Sequence, residues 1–355
     1  ANFVEPIELE GERLGRAWGV VVHMHSVMDT PEWREAYNAM LPEVTRFYAE
    51  LGQNLKLFEK YKAIAEGPEF AGLTPARQRI LDNELRGFRL SGAELPDARK
   101  PRFKEIQEEL AGLSARFSEN LLDATNAFSH LVTDPARLAG LPDDVVTAAR
   151  EAAAKAGQEG WKFTLKMPSY LLVMQYADDR ALRETMYRAN GTRAAEIDNG
   201  FSKPEWNNGP LIERILALRA EEAAMLGYRT YADVSLVPKM ADSPEQVLGF
   251  LRELAAKARP FAERDLAELA TFARDELGLD PLEPWDTGYA SEKLRVARYD
   301  FSEQEVKLYL PEPKVLQGLF DVVEKLYGVR ILPDSGPVWH PDVRFFRIER
   351  QGALV

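Results

Sequence analysis

Apolar residues recur at steps of three and four along most of this sequence. The clearest run is Phe103, Ile106, Leu110, Leu113, Phe117, Leu121, Ala124, Phe128 and Leu131. It predicts one helix from about Asp97 to Val132, roughly 54 Å long at 1.5 Å per residue, and therefore a long bundle or rod. A second stripe, Trp33, Tyr37, Met40, Val44, Phe47, Leu51, Leu55 and Phe58, begins after Thr30 and Pro31, favoured cap and first-turn residues. A third, Val247, Leu251, Leu254, Ala258 and Phe261, follows Ser243, Pro244 and Gln246, which read as a capping box with proline in the first turn. Pro42 predicts a kink in the second stripe, and Pro260 predicts a bend or split in the third.

Other helix starts read from Thr74-Pro75 and from Ser302 with Glu305, and helix stops from Leu226-Gly227, Leu277-Gly278 and Tyr327-Gly328. Extended structure is expected only near 161–166 and 343–355, where aromatic and β-branched residues gather. Within the latter, Arg344 to Glu349 reads as a strand, Arg350-Gln351-Gly352 as a turn and Ala353-Leu354-Val355 as a returning strand cut off as it begins. The fold class is mainly α. The expected organisation is an N-terminal helical bundle over 1–157, a second helical region over 158–338 and a truncated β-hairpin over 339–355. With Ala1 in place of a starting Met, the sequence reads as a segment of something longer.

Charge narrows the function classes. Lys plus Arg number 45 against 57 Asp plus Glu, a net charge of −12, which disfavours nucleic acid and anionic membrane surfaces. The longest stretch free of Asp, Glu, Lys and Arg is Ala17 to Met28, short of the roughly 20 residues a spanning helix needs. There is no cysteine, which removes disulfides, thiolate metal sites and cysteine nucleophiles.

Few residues suggest chemistry by themselves. His23 and His25 stand two apart and diverge by about 200° on a helix, so they cannot share a metal as an i, i+4 pair would. His130 beside the long stripe and His340 in Trp339-His340-Pro341 read as structural hydrogen-bonding groups. Gly11, Gly15 and Gly19 recur every four residues and suggest close approach of another helix. The basic cluster Arg99, Lys100, Arg102 and Lys104 reads as a solvated face, as do the carboxylate pairs Asp178-Asp179 and Glu221-Glu222.

Several segments nevertheless resemble, in order, the zinc metallopeptidases of the oligopeptidase A and thimet oligopeptidase family, nearest its bacterial branch. They are Leu122-Asp123-Ala124-Thr125 with Leu131-Val132-Thr133-Asp134, Pro168-Ser169-Tyr170-Leu171, and Arg183-Glu184-Thr185-Met186-Tyr187-Arg188-Ala189 with Thr192-Arg193-Ala194. Lys239-Met240-Ala241, Trp285-Asp286 with Tyr289 to Lys293, and Trp339-His340-Pro341-Asp342-Val343-Arg344-Phe345-Phe346 follow. The resemblance implies one wall of a neurolysin-like, clam-shaped peptidase whose channel admits short peptides. Members are roughly twice as long and hold zinc through an HExxH helix and a later glutamate, the helix glutamate acting as general base. That helix is absent here, so no catalytic residue and no metal ligand is assigned in this chain. Where members tend to carry paired tyrosines, this sequence has Gly288 and Tyr289.

The implied function is the N-terminal portion of a cytoplasmic zinc metalloendopeptidase acting on oligopeptides, inactive alone. Its expected partners are peptide substrates and a missing C-terminal catalytic half, with self-association through an exposed apolar face. Zinc belongs to the intact parent protein and none is expected on this chain. Tyr289, Trp339, His340 and Arg344 are nominated as neighbours of the peptide channel. The alternative is a helical peptide- or protein-binding module without a catalytic half.

Overall fold

The longest apolar stripe does become a long helix, but a shorter one than its spacing predicts, and the difference organises the middle of the molecule. The computed structural model describes residues 3–355, which are mainly helical with a few short strands. Helices α1 (Val4–Met28) and α2 (Pro31–Gly52) form an antiparallel-type pair, followed by α3 (Leu55–Glu66), α4 (Pro75–Leu90) and α5 (Lys100–Ala127). The second stripe is divided: α2 stops at Gly52, and the Asn54 side chain accepts from the Leu57 amide at 3.1 Å to cap α3. Helix α3 then packs on α4 through Phe58, Tyr61, Leu81, Leu85 and Phe88.

The α5 backbone leaves the helix at Phe128, so that His130–Val132 becomes strand β1 instead of a last helical turn. After α6 (Asp143–Lys155), β2 (Trp161–Phe163) pairs with β1 antiparallel, His130 opposite Phe163 and Val132 opposite Trp161. The pairing satisfies backbone groups that a fraying helix end would leave open. Gly160 makes it feasible: its φ is +124°, and a Cβ there would lie 2.5 Å from the Val132 carbonyl oxygen.

Helices α7 (Met167–Tyr176) and α8 (Arg180–Gly191) close over this strand pair, and a core containing Phe128, Val132, Phe163, Leu165, Val173, Leu182 and Met186 joins the layers. This core runs across position 157. Helix α9 (Gly209–Met225) packs on α5 through Phe103, Ile106, Leu218 and Met225. The basic cluster that opens α5 is not a solvated face: Arg102 grips Glu221 of α9 at 2.7 and 2.8 Å, and Lys104 reaches Glu50 of α2 at 2.8 Å. Flanking helices present carboxylates there, and Glu222 is itself buried.

After α10 (Tyr231–Leu236), helix α11 (Pro244–Leu277) runs unbroken through Pro260 for 34 residues, so the expected split does not occur. Its first two-thirds lie on the surface and only Leu269 and Ala273 are buried. Helices α12 (Thr287–Tyr299), α13 (Glu303–Tyr309) and α14 (Glu312–Tyr327) follow, then strands β3 (Arg330–Asp334), β4 (Phe345–Arg350) and β5 (Ala353–Leu354) in the order β3-β4-β5, all antiparallel. The turn through Gln351 and Gly352, both at positive φ, is the one the sequence indicates, whereas β3 adds a strand it does not. All three glycine helix stops, Gly227, Gly278 and Gly328, have positive φ. Gly11, Gly15 and Gly19 face open space, so among the described residues no helix approaches α1 along them.

Candidate functional site

Two of the segments that carry the family resemblance, the one opening at Arg183 and the one holding Trp285-Asp286 with Tyr289 to Lys293, meet in one buried ionic cluster. Its centre is Arg183 on α8, fully buried, with its guanidinium donating to Asp286 Oδ1 at 2.7 Å and to the Ala177 carbonyl at 2.6 Å. Asp286, also fully buried, accepts from Arg180 Nη2 at 2.6 Å and from the Glu283 amide at 3.1 Å. Local sequence fixes both partners: Asp179 caps α8 and so launches Arg180 and Arg183 from its first turn, and Pro284 opens the turn that carries Asp286. Burial by itself would raise the Asp286 carboxyl, but hydrogen bonds from Arg180 and Arg183 outweigh it and hold the group below the usual carboxylate range.

Tyr289, one turn into α12, belongs to this cluster. Its hydroxyl donates to Asp178 Oδ1 at 2.8 Å, the Arg183 guanidinium lies 4.1 Å from its ring centroid, and Lys293 approaches Asp178 at 3.4 Å. Burial, with help from the Asp178 carboxylate, pushes the phenol up to about 12, so it remains a donor at neutral pH. Of the carboxylate pair Asp178-Asp179, Asp178 stays exposed while accepting from Tyr289, whereas Asp179 is withdrawn from solvent, pairing with Arg137 at 2.5 Å while capping α8. The donors and acceptors here are committed to one another, which suits a cluster that locks α8 to α12.

The other three nominees lie elsewhere. Trp339 and His340 occupy the loop between β3 and β4, the Trp339 ring meeting the His23 ring of α1 edge-on at 5.2 Å. His340 Nδ1 accepts from the Asp342 amide at 3.2 Å, and Arg344 pairs with Glu312 at the start of α14. Among the described residues, no hydrogen bond, ion pair or ring contact joins Tyr289 to these three.

A second polar cluster, absent from the sequence reading, lies where α1, α2 and α5 converge beside a cleft of about 860 Å³. Arg34 bridges Asp29 and Asp123, holding the Asp29 carboxyl below its ordinary value through that hydrogen bond. The His25 ring stacks on Tyr37 at 4.0 Å, with Nε2 3.4 Å from Asp29 and 3.6 Å from Glu119. The signal in the sequence was the recurrence of His25, Asp29 and Arg34 around the α1–α2 turn. Arg34 and Asn38 already occupy those carboxylates, and among the described residues no three His, Asp or Glu side chains form a metal-holding group. The donor sets among the described residues do not fit a zinc ion.

A family model for Peptidase family M3 matches residues 173–354, and one for the Neurolysin/Thimet oligopeptidase N-terminal domain matches residues 1–100. The sequence is 43% identical to Oligopeptidase A of Salmonella typhimurium over 98% of this chain and 51% of that protein. It is 40% identical to the chloroplastic/mitochondrial Organellar oligopeptidase A of Arabidopsis thaliana, over 98% of this chain and 44% of that protein. Identity to the Dipeptidyl carboxypeptidase of Escherichia coli is 29%, over 98% of this chain and 50% of the relative. The chain thus spans about half the length of the curated relatives it matches.

Proposed function

Because the chain belongs to peptidase family M3, we propose that it is the N-terminal portion of a zinc-dependent oligopeptidase that hydrolyses short peptides. The observation that carries this reading is similarity along almost the whole chain to proteins named Oligopeptidase A. In this reading the present residues build a wall of the substrate channel, and zinc and the attacking water belong to the remaining half. A rigid helical wall suits that task, since the buried Arg183–Asp286 cluster fixes α8 against α12 and leaves the channel side free to select by width.

Trp339, His340 and Arg344 are proposed as channel neighbours, where an aromatic ring, an imidazole and a guanidinium offer apolar contact and hydrogen bonds to a peptide. Tyr289 is proposed to act behind that wall, through the orientation of Asp178 and Lys293. Cytoplasmic residence and weak self-association at high concentration complete the proposal. No helix among the described residues is long and apolar enough to cross a membrane.

The purified chain is expected to bind no stoichiometric zinc and to leave a quenched fluorescent peptide intact. About one zinc per chain, together with hydrolysis that a chelator abolishes, would place the catalytic apparatus in these 355 residues and overturn the reading.

A further inference from the structure

Helix α14 carries more apolar surface than the rest of the chain covers. Leu316, Phe320 and Val323 turn inward and are half-buried, with Phe320 edge-on to Phe346 of β4 at 4.9 Å. Rotated from them by roughly 100°, Val315, Leu319, Val322 and Leu326 succeed one another at steps of four, three and four. These four are 49%, 55%, 55% and 70% exposed, and no residue of α14 is buried. Such spacing is the seam along which a second helix interdigitates. Leu308, Tyr309 and Leu310 extend the open apolar surface past its N-terminal end. Gly318 borders the seam, and a Cβ there would touch nothing. A glycine inside a helix is less favourable than alanine, and at this position it leaves room for close approach.

We propose that this seam docks an apolar-faced helix belonging to the polypeptide that forms the other half of the M3 relatives. The inference rests on the family reading above and names the surface at which the two halves join. The relatives' length favours this occupant, since they contain about as many residues again as this chain covers. Size disfavours a second copy: a stable dimer takes about 20–30 residues from each partner, whereas the seam and its extension offer only seven apolar side chains. A contact of that size works as part of a larger interface within one protein.

The absence of cysteine gives a clean test. A Val322→Cys thiol, and a Gln317→Cys thiol on the polar side of α14 as control, are placed in the 355-residue chain and in the same chain extended by the remaining half of Salmonella typhimurium oligopeptidase A. Maleimide labelling at low micromolar concentration is followed on the α14 peptide by mass spectrometry. Both thiols should label readily in the shorter chain, and the one at position 322 should slow at least tenfold in the extended protein while the control does not. Protection without zinc-dependent peptide cleavage would uphold the docking seam and sink the peptidase reading. Equal labelling at 322 in both proteins, whether because the halves fold apart or because they meet elsewhere, overturns the proposal. Slow labelling in the shorter chain with a dimer in sedimentation also overturns it, by showing that a second copy covers the seam.

Discussion

Asp286 is withdrawn from water and keeps its charge, because two guanidinium groups and a backbone amide replace the lost hydration. Removing one member of such a cluster leaves the others buried and uncompensated, which typically costs 3–5 kcal/mol. Asp286→Asn should therefore lower the free energy of unfolding by about 3–5 kcal/mol in urea titration; a loss below about 1 kcal/mol would show that water enters and screens the arginines. Glu222 presents the opposite case. Burial pushes its carboxyl above 4.5, so ionisation penalises the folded state: its contribution is intact below the unfolded value and is lost as pH rises through the folded one. Glu222→Gln is expected to raise the urea midpoint at pH 7 and to lose that advantage near pH 4. His130 is held below 6.5, first by burial and then by nearby Arg137. Its contribution is present above 6.5 and lost as pH falls, so His130→Gln should flatten the fall in urea midpoint between pH 7.5 and 5.5.

Among the elements, the β1–β2 pair shows what periodicity can and cannot reveal. Phe128 and Val132 are buried in the same core that a continued helix would have reached, so the stripe looked unbroken although the backbone changed from helix to strand. The informative residue was Gly160, thirty positions away, whose φ and close approach to Val132 permit the pairing. Gly160→Ala should destabilise the protein by more than 1 kcal/mol, since the new methyl meets the Val132 carbonyl in a backbone region alanine avoids; an unchanged thermal midpoint would mean that β1 and β2 are dispensable. Local chemistry was legible at Thr30-Pro31, Thr74-Pro75, Ser243-Pro244 and the three glycine stops. Asn54 divides α2 from α3 through an equally local cap, hidden by an apolar pattern that stayed in phase across it. The ionic cluster was legible only in part: its segments stand out as family-like, but that Arg183 and Asp286, 103 positions apart, neutralise one another is a property of the fold.

At the scale of the whole molecule, apolar material is unevenly spent. The α6–α8 region with β1 and β2 encloses a dense core, while α1 and the first two-thirds of α11 lie open on most sides. Amide exchange follows the free energy of local opening, and a helix with few tertiary contacts opens at low cost. Isolated helices are marginal in water even when long, so i, i+4 pairs such as Lys257–Glu253 and Arg259–Glu263, worth about 0.3–0.5 kcal/mol each, cannot hold residues 247–268 closed. Hydrogen-exchange mass spectrometry of the 355-residue chain should therefore find the amides of 247–268 exchanging at least tenfold faster than those of α7 and α8. On the proposed function the same helix should become protected when the chain is joined to the other half of an M3 relative, since its apolar positions Leu248, Leu251, Leu254 and Phe261 are exposed in this chain. Strong protection of 247–268 in the isolated chain would mean that copies of the chain already cover one another there, and would place the source of that helix's stability in self-association.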